Sequence, residues 1–176
     1  MVAAILRPVL RAIDLVCVAG AVVAAIACAI MAVMLVTEVI ATSFFGWSQP
    51  WAVEFSGYSL LAVFFAGSGW ALRQGAHIRV TLVTQSLPPR GAWALDVLAS
   101  FGALIVTCYA SYALIRYALR SAELGSVSTY LSQTPLALPQ GLLAASFVLL
   151  ALALFARITR LLTGEDPELP VAGAIE

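Results

Sequence analysis

Four apolar stretches, each long enough to cross a lipid bilayer, constrain this chain more than any other feature. A membrane helix needs about 20 mostly apolar residues, because each residue rises about 1.5 Å through a hydrocarbon layer about 30 Å thick. The first stretch, "LVCVAGAVVAAIACAIMAVMLV", covers residues 15–36; the others cover 55–72, 97–115 and 138–156. A content of 62% hydrophobic and 10% charged residues, with a mean hydropathy of +1.02, lies far outside soluble globular usage. The expected fold is therefore an all-α integral membrane protein, one four-helix domain over 1–176 without room for a separate soluble domain. Arg7 and Arg11 precede the first stretch, as basic residues precede a cleaved secretory signal. Its apolar run exceeds the 7–15 residues of such signals, which favours a retained span.

Arginine placement predicts the orientation. Arginines in short loops stay on the cytoplasmic side. Arg7 and Arg11 before the first span, Arg73, Arg79 and Arg90 between the second and third, and Arg157 and Arg160 after the fourth all fall on one face. Only Arg116 and Arg120 fall on the other, with Glu123 close behind them. Both termini are predicted inside. Trp47 and Trp51 on the outer side, and Trp70 and Trp93 around the inner loop, lie near span boundaries, as interfacial anchors do. "SFFGWSQPW" reads as an outer interfacial segment. Gly20 with Ala24, Ala21 with Ala25, and the run Gly67, Ser68, Gly69 offer small surfaces on which helices could approach closely.

A self-sufficient transporter needs ionisable groups near the bilayer midplane. The spans hold none: Asp14, Glu38, Glu54 and Asp96 fall at span ends, where an acid reads first as a solvated anchor. Glu54 stands out, since it opens its helix, where the positive dipole end favours a carboxylate. Enzyme readings fail on inventory. The single histidine, His77, cannot supply both axial ligands of a membrane haem, and a chain without lysine offers the hydroxyls of Ser56, Ser68 and Ser100 no second base. Cys17, Cys28 and Cys108 lack metal-ligand spacing and read as small buried apolar side chains. No cofactor or metal is expected, and zero formal net charge gives no basic field for nucleic acid. No inverted repeat relates the two halves. Pro135 and Pro139 open the last span, with Thr134 as candidate N-cap.

Glu54 at the start of the second span, "AGSGWALRQGAHIRV" over Ala66 to Val80, "LPPR" over Leu87 to Arg90 and "SQTPLALPQ" over Ser132 to Gln140 together resemble the small membrane subunit of tripartite ATP-independent periplasmic (TRAP) transporters, the DctQ-like family. The resemblance covers nearly the whole chain, and Gly75 to Val80 is its most specific part. Family members often carry an acid after the valine of the histidine motif, where this chain has Thr81, and an aromatic residue after the second proline, where it has Gln140 and Gly141. The resemblance implies a non-catalytic subunit of a sodium-coupled importer of organic acids in the bacterial inner membrane. Its implied partners are a larger membrane subunit that holds the cargo, a periplasmic substrate-binding protein and membrane phospholipid. Glu54, Arg73, His77, Arg79, Ser132 and Pro135 become the candidate partner or lipid interface.

The stretch "RQGAHIRVTLV" then has a reading. Arg73, His77 and Arg79 sit at the cytoplasmic end of the second span, where cations favour both the inside orientation and the negative helix end. Val80, Val83 and Leu87 follow at helical spacing and suggest a short in-plane helix on the cytoplasmic side. Two other readings compete: a small four-helix homodimeric exporter, and a structural membrane protein of an unrelated family. The exporter should carry a carboxylate in the middle of its first span, where this chain has valine and alanine.

Overall fold

A computed structural model describes residues 2–75 and 87–168, with side chains from Leu6 onward. Five helices account for most of them: α1 (Val2–Phe45), α2 (Ala52–Ala66), α3 (Ser68–Arg73), α4 (Pro89–Glu123) and α5 (Ala137–Thr163). They supply four spans long and apolar enough to cross a membrane, with α2 and α3 together making the second. The fold is all-α and multi-pass, as the apolar runs predict. The helices exceed the predicted spans. With 44 residues, α1 is about 66 Å long, twice the hydrocarbon thickness, so it continues past the apolar run at both ends. Thr37 and Thr42 return their hydroxyls to the carbonyls of Val33 and Glu38, which lets polar residues extend the helix at its outer end. The in-plane helix, His77 and Arg79 fall among 76–86 and lie outside the described residues.

Small residues set the helix spacing. A Cβ on Gly20 of α1 would stand 2.5 Å from the Ala66 carbonyl oxygen, so only glycine permits this approach. One turn on, a Cβ on Gly67 would meet that of Ala24 at 3.4 Å; a Cβ on Gly69 would meet the Cys17 sulfur at 3.0 Å. The expected close packing at Gly20, Ala24, Gly67 and Gly69 is present, whereas Ala25 is exposed. Gly67 also interrupts the second span for one residue. Its backbone stays right-handed helical (φ −78°, ψ −14°), and the Ala71 amide bonds its carbonyl at 3.0 Å, so α3 follows on from α2.

The buried face of α4 is made of hydroxyls: Ser100, Thr107, Ser111 and Ser121, with half-buried Leu104, Leu114 and Ala118 between them in alternating steps of three and four. Thr107 and Ser111 bond the carbonyls four residues back, at 2.7 Å each. A hydroxyl satisfied within its own helix costs little in an apolar setting and leaves a thin surface for a neighbour. That neighbour is α5, which also packs on α1, α2 and α3. Among the described helices α4 touches α5 alone, and α1 lies against α2, α3 and α5. The described helices therefore form an open bundle, with α5 in the middle and α1 and α4 out of contact. Leu10, Ile13, Cys17, Leu72, Ala153, Leu154 and Ala156 form the core, in the predicted inner half.

Candidate functional site

Polar side chains collect at the two ends of the bundle. At the predicted outer end, α4 stops at Glu123 and the chain folds into a tight hairpin before α5. Val127 and Pro135 form an antiparallel bridge, the Ser128 amide bonds the Thr134 carbonyl at 2.9 Å, and the Leu136 amide bonds the Ser126 carbonyl at 3.0 Å. Gln133 takes positive φ (47°) at the turn, an uncommon conformation for a residue with a side chain. The hairpin clasps Glu54 in the first turn of α2. This carboxylate is 5% exposed; it accepts hydrogen bonds from the Tyr58 hydroxyl at 2.5 Å and from Ser132 Oγ, while Thr134 Oγ1 donates to Ser132. Glu38 does similar work between α1 and α2, accepting from the Gln49 amide at 3.0 Å and from Ser48 Oγ at 2.8 Å.

At the inner end, charged groups from four helices pair across the interfaces. Arg157 of α5, only 4% exposed, bonds both oxygens of Asp96 on α4 (2.8 and 3.1 Å), Ser100 Oγ (3.4 Å) and Glu168 Oε1 (3.2 Å). One turn on, Arg160 bonds Asp14 of α1 at 2.7 Å. Arg73 at the end of α3 lies 3.6 Å from the same Asp14 and donates to the Asp166 carbonyl at 3.2 Å. Planar guanidinium groups suit this work, since one head reaches two or three acceptors. In an apolar surrounding each of these groups needs a partner, and together they hold α1, α3 and α4 to α5.

These arrangements correct several expectations. The boundary acids are cross-links and not solvated anchors, because each lies where a neighbouring segment presents donors. Glu54 and Ser132, far apart in sequence, meet in the outer clasp, and Pro135 belongs to the same hairpin. Arg73 joins the inner network. Thr134 does not cap α5, which begins at Ala137 after Leu136 without a side-chain cap. Arg116 lies over the Tyr112 ring, 6.0 Å from its centroid, and bonds the Tyr112 hydroxyl at 3.3 Å. Cys17 is buried as expected, whereas Cys28 and Cys108 are exposed on α1 and α4. Trp47, Trp51 and Trp93 are exposed and Trp70 half-buried; the Trp93 indole donates to the Leu161 carbonyl at 3.2 Å. The sequence reading missed Tyr58, Ser128, Ser100, Asp96–Arg157 and Asp14–Arg160 as partners. The signal was available for the ion pairs: acids and arginines of different spans stand at the same depth.

Among the described residues no group of three or more histidine, cysteine or acidic side chains could hold a metal ion. Asp14, Arg73, Asp96, Arg157, Arg160 and Glu168 at the inner end are engaged with one another, and the spans between the two ends carry no charge. These features define a multi-pass membrane protein whose polar groups brace helices. Residues 31–164 match the family model for the DctQ component of tripartite ATP-independent periplasmic transporters, and the chain belongs to that family. Membership makes it a transporter component rather than an enzyme. It is also similar to the ectoine TRAP transporter small permease protein TeaB of Halomonas elongata, at 29% identity over 107 residues, which cover 61% of this chain and 55% of that protein. The match thus spans about half the length of that curated relative.

Proposed function

We propose that this chain is the small, non-transporting permease subunit of a sodium-coupled TRAP importer of organic acids, and that it holds a larger membrane subunit in place. The observation that carries this reading is the open bundle. Among the described helices α4 packs on α5 alone and presents Phe101, Ile105, Tyr109 and Tyr112 outward, while α1 presents Val22, Ile26, Ile30 and Val33. Broad apolar faces with no charge at mid-depth suit a helix partner or lipid and give an organic anion nothing to exchange for its hydration. The cargo site then belongs to the larger subunit, fed by a periplasmic binding protein.

The arginine asymmetry supports a bacterial inner-membrane location with both termini cytoplasmic, and the helical spacing of Val80, Val83 and Leu87 supports an in-plane helix there. Glu54, Ser132 and Pro135 shape the outer edge of the partner or phospholipid interface, and Arg73, His77 and Arg79 the inner edge. Trp47, Trp51, Trp70 and Trp93 anchor the two headgroup levels. Reconstitution tests the reading. Liposomes that hold this chain alone, under a sodium gradient, should take up no carboxylate, whereas those that hold it with the large subunit should do so when the binding protein is added. Uptake by the single chain would refute the scaffold role.

A further inference from the structure

The segment after α5 does not leave the bundle. Gly164 ends the helix in the left-handed conformation (φ 72°), and the Glu165 amide returns to the Arg160 carbonyl at 3.0 Å, which turns the chain back over the inner helix ends. Successive groups then reach three different helices. Glu165 accepts from Arg7 of α1 at 3.4 Å, the Asp166 carbonyl accepts from Arg73 of α3, and Glu168 accepts from Arg157 of α5. The Glu168 amide is held by Asp166 Oδ1 at 3.0 Å, and Pro167 closes a small notch lined by Asp14, Cys17, Arg73, Arg157 and Arg160.

Two features single out Glu168. Arg73, Arg157 and Arg160 converge on this notch, and the helices themselves offer only Asp14 and Asp96 as counter-charges. The strap adds acids of its own: Glu165 and Asp166 lie near Arg73, and Glu168 bonds Arg157 at 3.2 Å. Its carboxylate also lies so close over Gly75 that a Cβ there would stand 2.5 Å from Oε2, and Gly75 has positive φ (69°). Gly75 is the last described residue before the connection to α4. Among the described residues, Glu168 therefore joins the end of α5 to the start of that connection.

We propose that Gly164–Glu168 is an electrostatic strap: its tip, Glu168, adds a carboxylate to the buried arginine cluster at Arg157 and lies over Gly75, closing the inner end of the bundle. The root is held by a backbone bond that ends the helix, whereas the tip is held by carboxylate contacts at a partly exposed edge. The strap consequently opens from its Glu168 end, and opening withdraws that carboxylate from Arg157 and from its place against Gly75.

The test uses the full chain in mild detergent, with Cys28→Ser and Cys108→Ser removing the exposed thiols. A cysteine in place of half-buried Pro167 should react more slowly with a charged maleimide than one in place of Leu162, which is 62% exposed. Adding Glu168→Gln should raise the rate at position 167 about tenfold, the scale of one lost charged hydrogen bond, and leave position 162 unchanged. Equal rates at both positions before that change, or no acceleration after it, overturn the proposal. Amide hydrogen exchange without any introduced cysteine covers the case in which Pro167→Cys itself loosens the strap. In that measurement Glu168→Gln should speed exchange at position 168 about tenfold and leave the Glu165 amide protected. Unchanged exchange at position 168, or equal acceleration at both amides, refutes a strap that opens from its tip.

Discussion

Replacing Arg157 by methionine should damage the fold more than any other single change at the inner end. The substitution keeps an unbranched stem of similar shape but removes the guanidinium that joins Asp96, Ser100 and Glu168. Removing one partner of a buried ion pair costs about 3–5 kcal/mol, largely because the other charge is stranded. Here the stranded carboxylates keep some access to water, since Asp96 and Glu168 side chains are 28% and 31% exposed. The cost should therefore fall to about 2–3 kcal/mol, which for a chain of this size lowers the melting temperature by roughly 5–10 °C. Thermal unfolding in detergent, followed by tryptophan fluorescence, reads it. The double variant Asp96→Asn with Arg157→Met strands one charge fewer, so it should be more stable than the sum of the single effects by about 1–2 kcal/mol. A melting temperature within about 1 °C of the parent for Arg157→Met, or strict additivity in the double variant, would show that the pair does not brace α4 against α5.

Two alanine substitutions should act with opposite signs. At Gly20 the new Cβ meets the Ala66 carbonyl, so an overpacking cost of about 1–3 kcal/mol exceeds a helix-propensity gain of about 1 kcal/mol; at Gly102, with nothing within 4 Å of the new Cβ, only the gain remains. Melting temperatures that move in the same direction would contradict the packing at Gly20. In the outer clasp, Ser132→Ala strips one donor from buried Glu54 and should cost about 1–3 kcal/mol, whereas Thr163→Ala, at an exposed hydroxyl bonded only within its own helix, should be nearly silent. For orientation, an impermeant thiol reagent should label a cysteine at Leu131, which is 82% exposed, in intact cells, and one at Leu162 only after the membrane is opened. Ser128, though in the same hairpin, is 7% exposed and would report burial instead of topology. Labelling at Leu162 from outside would invert the arginine argument.

Sequence reading recovered the four spans because bilayer thickness imposes a length that any apolar run either meets or misses. Helix ends were less legible. α1 and α4 continue into polar residues at their outer ends, where intrahelical bonds from Thr37 and Thr42 and the clasp at Glu38 sustain a helix that hydropathy does not register. Glu54 and Ser132 were both marked as candidates, but their meeting depends on a hairpin fixed by backbone bonds between Ser126–Ser128 and Thr134–Leu136, and a linear pattern does not show which residues such a turn juxtaposes. Asp14 and Asp96 were misread for a related reason. An acid at a span boundary looks solvated until the neighbouring helix is known, and here α5 brings Arg160 and Arg157 to the same depth.

In the proposed function, the exposed apolar faces of α1 and α4 hold a larger membrane subunit. The direct measurement is the yield of that subunit retained per tagged copy of this chain, after both are co-expressed and extracted in mild detergent. Recovery should be near-equimolar and should fall with charged substitutions on the outward face of α4, such as Ile105→Glu, at unchanged membrane levels of this chain. No retained large subunit beside a normally inserted tagged chain, or full retention despite those substitutions on both α1 and α4, would contradict this function.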